Sequence, residues 1–111
     1  MRRPNVIAPH TIHATIHKAA MVLDIELRTV EHSPFDPVDT AAMEALIDDQ
    51  TIGLLGSAPS WPFGQVDPIA EMGQIALAHN IWLHVDGCVG TYVLPFFREL
   101  GEAIPDFDLG V

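Results

Sequence analysis

Two short apolar runs, "TIGLLGS" (Thr51 to Ser57) and "IWLHV" (Ile81 to Val85), are separated by one helix-length segment. Each is bounded by turn residues and too short for a buried helix, so each reads as a strand buried on both faces. Between them, Asp67 and Pro68 give a cap-then-proline signal that opens a helix to about His79, with Asn80 as its stop. Strands joined by a crossover helix lie parallel and connect in the right-handed sense.

The alternation extends upstream. Ile12, Ile16, Ala19, Ala20 and Leu23 recur at helical spacing behind Thr11, a candidate N-cap. "ELRTVE" (Glu26 to Glu31) alternates polar and apolar residues and reads as a half-exposed strand. "FDPVDTAAMEALIDDQ" offers Asp36 as cap, Pro37 as the first helical residue and a stripe of Val38, Ala42, Leu46 and Ile47. A last short helix is expected through "VLPFFREL". The fold class is therefore α/β, with a β-α-β-α-β series on a parallel sheet.

Composition narrows the function. The 111 residues suffice for one domain at most. A formal charge of −10 repels phosphate backbones and argues against nucleic acid or an anionic membrane as a partner. No stretch is long and apolar enough for a membrane span, and the start "MRRPNVIAPH" has no apolar run behind its basic residues. With Cys88 as the single cysteine, no internal disulfide forms, which fits a cytoplasmic protein. One lysine in a chain of positive hydropathy is unusual for a free-standing domain and suggests a piece of a longer protein.

Parallel sheets place ligands beyond the carboxyl ends of their strands, here the loops Ser57 to Gly64 and Asp86 to Tyr92. Asp86 follows an apolar strand and precedes a glycine, so its carboxylate faces that edge, either to meet a cation or to cap a turn. His84, two residues earlier, lies on the same strand face. "HTIHATIHKAA" (His10 to Ala20) adds three histidines, of which His13 and His17 lie one turn apart. The zincin arrangement needs a glutamate directly after the first histidine, where this chain has Ala14, and no third ligand completes a set. No metal is expected; His17, His32 and His79 read as surface or locally partnered residues. Neither "GSAPS" nor Cys88 sits in a nucleophile motif.

"HATIHKAA", "GSAPSWPFGQVDPI" and "WLHVDGCVGTY", in this order and spacing, resemble the middle of the large domain of pyridoxal-phosphate-dependent group II decarboxylases. Within that superfamily the chain is most similar to the sphingosine-phosphate lyase branch, from about Pro4 to Val111. The resemblance implies a three-layer segment of a fold-type I large domain and pyridoxal 5'-phosphate as cofactor. It implies that Asp86 pairs with the protonated pyridine nitrogen, that His13 stacks on one ring face and that Cys88 packs on the other. It also implies a cofactor-side hydroxyl at Ser57 and a role for His84 in orienting Asp86 or the ring substituents. Gly87 stands where the family more often has alanine, and Ala58 where some relatives have threonine.

No Schiff-base lysine follows Asp86 in this chain, and the family's phosphate loop would lie upstream. Residues 1–111 are accordingly expected to be a central fragment, inactive alone and at most a weak cofactor binder. The parent is expected to be a homodimeric carbon–carbon lyase, either an aldehyde-lyase or an amino-acid decarboxylase. It would work through an external aldimine on a small-molecule amine or amino acid, in carboxylic acid metabolism. Two other readings stay open: another fold-type I enzyme, such as an aminotransferase or a desulfurase, or a degenerate non-catalytic α/β binding module.

Overall fold

A computed structural model of the chain describes residues 3–107. Met1, Arg2 and the end of the expected fragment, 108–111, lie outside the described residues. The elements run β1 (Asn5–Pro9), α1 (Ala14–Val22), β2 (Glu26–Val30), α2 (Thr40–Glu44), β3 (Thr51–Ser57), α3 (Ile69–His79), β4 (Trp82–Asp86) and α4 (Gly90–Glu99).

All strands are parallel, in the order β2-β1-β3-β4. The chain steps from β1 outward to β2, then returns across β1 to β3 and continues to β4. Right-handed crossovers therefore put α1 on one face of the sheet and α2 and α3 on the other, giving helix, sheet and helix layers. In agreement, α1 packs on β2, while α2 touches α3 and α3 lies on β3 and β4. The winding direction reverses between β1 and β3, and the cleft beyond their carboxyl ends is where such sheets take ligands.

The core fills the α2–α3 side. Ile7 and Leu54 pair across β1 and β3 and meet Met43 of α2 and Ile69 and Met72 of α3, all fully buried. Gly56 allows this approach, because a Cβ there would lie 3.0 Å from both the Ile69 and Met72 side chains. Alternation sends Leu83 and Val85 toward this core and leaves Trp82, His84 and Asp86 on the opposite face of β4. At the amino ends of the strands, Asn5 Nδ2 donates to Asp48 (2.8 Å) and Thr51 Oγ1 donates to Asn5 Oδ1 (2.8 Å). The Asn5 amide first, then the Gln50 backbone N–H and the Arg28 guanidinium, hold the Asp48 carboxyl well below the usual carboxylate range.

The structure corrects the sequence reading in four places, one of them the cap of α3, which is Pro68 rather than Asp67. β1, absent from the expected series, is the central strand. The first helix starts at Ala14 behind His13 rather than behind Thr11, whose hydroxyl lies 3.4 Å from His32 Nε2 instead. The second helix is only Thr40–Glu44, because Asp39 rather than Asp36 receives the first free amides, those of Ala41 and Ala42. The strand at Thr51–Ser57 and the left-handed stop at Asn80 (φ 53°) stand as read.

Candidate functional site

Three loops meet beyond the carboxyl ends of β1, β3 and β4. After β1 the chain turns through Thr11 and Ile12, both buried, and presents half-buried His13 as the cap of α1. Its Nδ1 accepts the Thr15 N–H (3.2 Å) and lies 2.8 Å from Thr15 Oγ1. Both contacts reach the ring at one edge atom and so fix its orientation at the start of α1.

The β3 loop is bound at both ends. Asp67 N–H donates to the Ser57 carbonyl (2.9 Å), and Ser60 and Gln65 close the hairpin between them (2.7 Å). Trp61 stands at its tip, 71% exposed, edge-on to His13 with centroids 6.4 Å apart. On one side it walls a cleft of about 530 Å³ with His10, Thr11, His13 and Phe63. On the other it walls a smaller pocket of about 160 Å³ with Ser60, Asp86 and Cys88. The two spaces therefore adjoin across one indole.

Asp86 ends β4, half-buried, in register with Ser57. Its carbonyl accepts the Ala58 N–H (2.9 Å), and its Oδ1 accepts the Cys88 N–H (3.3 Å). Oδ2 has no partner among the described residues. Gly90 lets α4 close on this strand end: a Cβ there would fall on the Ala58 carbonyl oxygen. A Cβ at Gly87 would meet only Thr91 Oγ1 below 3 Å, a side chain able to turn away.

His13, Asp86 and Cys88 thus line the two adjoining spaces, and buried Ser57 lies beneath them as the register partner of Asp86. His84 is on the Asp86 face but exposed, two register pairs farther from the edge, and no hydrogen bond joins the two side chains. Asp86 takes its side-chain hydrogen bond from the Cys88 amide. His32 places Nδ1 2.8 Å from the Ser33 carbonyl, and His79 pairs with Glu44 (2.8 Å). Among the described residues, no group of three His, Cys, Asp or Glu side chains is arranged to hold a metal. Two site residues escaped the sequence reading. Trp61 sits between two prolines, and only its bulk in an irregular loop marks it; Asp67 carries the pattern of a helix cap, which hides its other task.

The model of the pyridoxal-dependent decarboxylase conserved domain matches residues 1–108. The chain belongs to the pyridoxal-dependent decarboxylase family. Among its relatives, the sphingosine-1-phosphate lyase of Arabidopsis thaliana is 44% identical over 109 residues, which are 98% of this chain and 20% of that protein. A probable L-tyrosine/L-aspartate decarboxylase of Methanothermobacter thermautotrophicus is 35% identical over 106 residues, 96% of this chain and 29% of that protein. The solved sphingosine-1-phosphate lyase of Burkholderia pseudomallei K96243 superposes with a TM-score of 0.91 at 36% identity, over 97% of this chain and 25% of that one. The chain therefore spans a fifth to three tenths of the curated relatives it matches.

The site fits a pyridoxal ring of this decarboxylase family by its donor set. It offers a carboxylate with one oxygen unpartnered among the described residues, an imidazole anchored at one edge atom and an indole between the two.

Proposed function

We propose that these residues form the ring-binding part of a pyridoxal 5'-phosphate site in a carbon–carbon lyase of the sphingosine-phosphate lyase kind. The observation that carries the reading is the free oxygen of Asp86 in a pocket that adjoins the His13 cleft at the reversal point of the sheet. When bound, the cofactor supplies a protonated heteroaromatic ring that withdraws electrons from a bond at the amine-bearing carbon of a substrate. Asp86 holds the proton on the ring nitrogen, His13 covers a ring face and Cys88 packs against the other. Ser57 lends a hydroxyl from below. Trp61 keeps water from the space between the two walls.

The substrate is a small-molecule amine. A phosphorylated long-chain base is the favoured form, supported by the plant lyase at 44% identity and the bacterial lyase at a TM-score of 0.91, with an amino acid as the second reading on archaeal decarboxylases at 35–41%. The parent protein is a cytoplasmic homodimer in this reading. A single free cysteine supports the compartment, and the exposed apolar side chains on α4 and β4 support a covering surface from elsewhere in the assembly. Among the described residues no helix is long and apolar enough to cross a membrane.

Pyridoxamine 5'-phosphate tests the site, because its amine cannot couple to Lys18. Titrated into the isotope-labelled chain, it should move the amide signals of His13, Ala58, Asp86 and Cys88 together, with weak saturable affinity. Asp86→Asn should weaken binding by about tenfold or more, the worth of a charge-assisted hydrogen bond. Shifts scattered over the surface, or equal affinity in the variant, would contradict the proposal.

A further inference from the structure

Asp67 has the sequence position of a helix cap, yet its side chain does not cap α3. Pro68 takes the cap position with no side-chain bond, and the Asp67 carboxylate turns back across the sheet edge. There Oδ2 accepts the Ser57 N–H at 2.7 Å while the Asp67 N–H donates to the Ser57 carbonyl at 2.9 Å. One residue at the start of α3 thus grips both peptide groups that flank the last residue of β3. The next amide, Ala58 N–H, holds the Asp86 carbonyl, and the Ala58 carbonyl packs against Gly90.

Asp67 is 1% exposed, and among the described residues its Oδ1 has no hydrogen-bond partner, nor does the Oγ of buried Ser60. A carboxylate in such surroundings is costly, and burial pushes its pKa up to about 6 against the lowering effects of the Ser57 N–H and His32. A side chain that only closed a turn would be met more cheaply by a hydroxyl or an amide. The carboxylate instead gives Ser57 a short, charge-assisted acceptor, the stiffest link open to a backbone N–H.

We propose that Asp67 is a positioning residue that clamps Ser57 and, through Ala58, fixes the strand end from which Asp86 addresses the cofactor ring. The link to the ring rests on the function proposed above; the clamp itself does not. Amide exchange in the complete chain separates the two. Asp67→Ala should speed exchange at Ser57 and Ala58 by about tenfold or more, with Leu54 in the same strand unchanged. It should also weaken pyridoxamine 5'-phosphate binding. Asp67→Asn keeps an acceptor oxygen and should restore both readings to within about threefold of wild type.

Unchanged exchange at Ala58 in Asp67→Ala would overturn the proposal. So would a rise shared equally by Leu54 that Asp67→Asn fails to correct, which is the mark of general destabilisation. Should Asp67→Ala not fold, the wild-type chain decides: a scalar coupling across the hydrogen bond from Ser57 ¹⁵N to Asp67 ¹³Cγ is expected, and its absence overturns the clamp. Failure of wild type to bind pyridoxamine 5'-phosphate would count against the cofactor reading, while the exchange pattern still decides the clamp.

Discussion

At the scale of single residues, the strand-end loops leave little room for substitution. A methyl group at position 90 would fall on the Ala58 carbonyl, and both partners are backbone, so α4 or the β3 loop has to move. Gly90→Ala should cost about 2 kcal/mol or more in urea unfolding, an overpacking penalty. Gly87→Ala should cost under about 1 kcal/mol, because Thr91 can rotate away. Asp67 adds a pH dependence of fixed sign. Its folded pKa of about 6 lies above the ordinary 3.8, so the folded chain binds the proton more tightly. The group therefore supports the fold most below the lower value, and that support falls as pH rises through the higher one, by roughly 3 kcal/mol in all. Asp67→Asn should gain stability relative to wild type between pH 4 and pH 7, which denaturant midpoints at each pH would show. The placement of Asp86 at the cleft was legible in sequence, because an apolar strand followed by Asp-Gly fixes it locally; His13 falls inside the first helix on spacing alone, and only the family resemblance brings it to the cofactor. His84 shows the limit: the period of the strand predicts its face, but only the tertiary structure shows that it is exposed and that Asp86 Oδ1 takes the Cys88 N–H.

At the scale of elements, legibility followed the source of the stabilising contacts. β3 and α3 were readable because apolar runs and the left-handed Asn80 are local signals. β1 was not. Its five residues follow Pro4 and end on Pro9, begin with a polar Asn5 and show no alternation, since a central strand is buried on both faces. What admits Asn5 to the interior is a pair of partners more than 40 residues away, Asp48 and Thr51. Asn5→Ala leaves Thr51 Oγ1 without that acceptor and Asp48 without that donor, and should destabilise the chain by about 1–3 kcal/mol in urea unfolding. Helix starts were misplaced for the same reason. Thr11 and Asp67 have the chemistry of caps, but distant groups, His32 and Ser57, claim their side chains.

At the scale of the whole molecule, the chain buries one face of its sheet well and the other poorly. Trp82 is 82% exposed on the face away from α3, and Tyr92, Phe96 and Leu100 form an i, i+4, i+8 stripe outside α4. A surface this apolar should drive self-association of the chain. Replacing Tyr92, Phe96 and Leu100 together by serine should lower the weight-average mass in sedimentation toward that of a monomer, with the far-ultraviolet spectrum retained. The reversal of winding between β1 and β3 makes the edge next to His13 and Asp86 the natural ligand side of this sheet. One electrostatic pair, the Asp86 carboxylate and a ring nitrogen, is the centre of the proposed site. Its most direct test is the ¹⁵N chemical shift of ring-labelled pyridoxamine 5'-phosphate at saturation, at a pH chosen above the free ring's own titration so that the free ring is unprotonated. A pyridinium shift with the wild-type chain that reverts in Asp86→Asn is the predicted result; an unprotonated ring in both would contradict the assignment of Asp86.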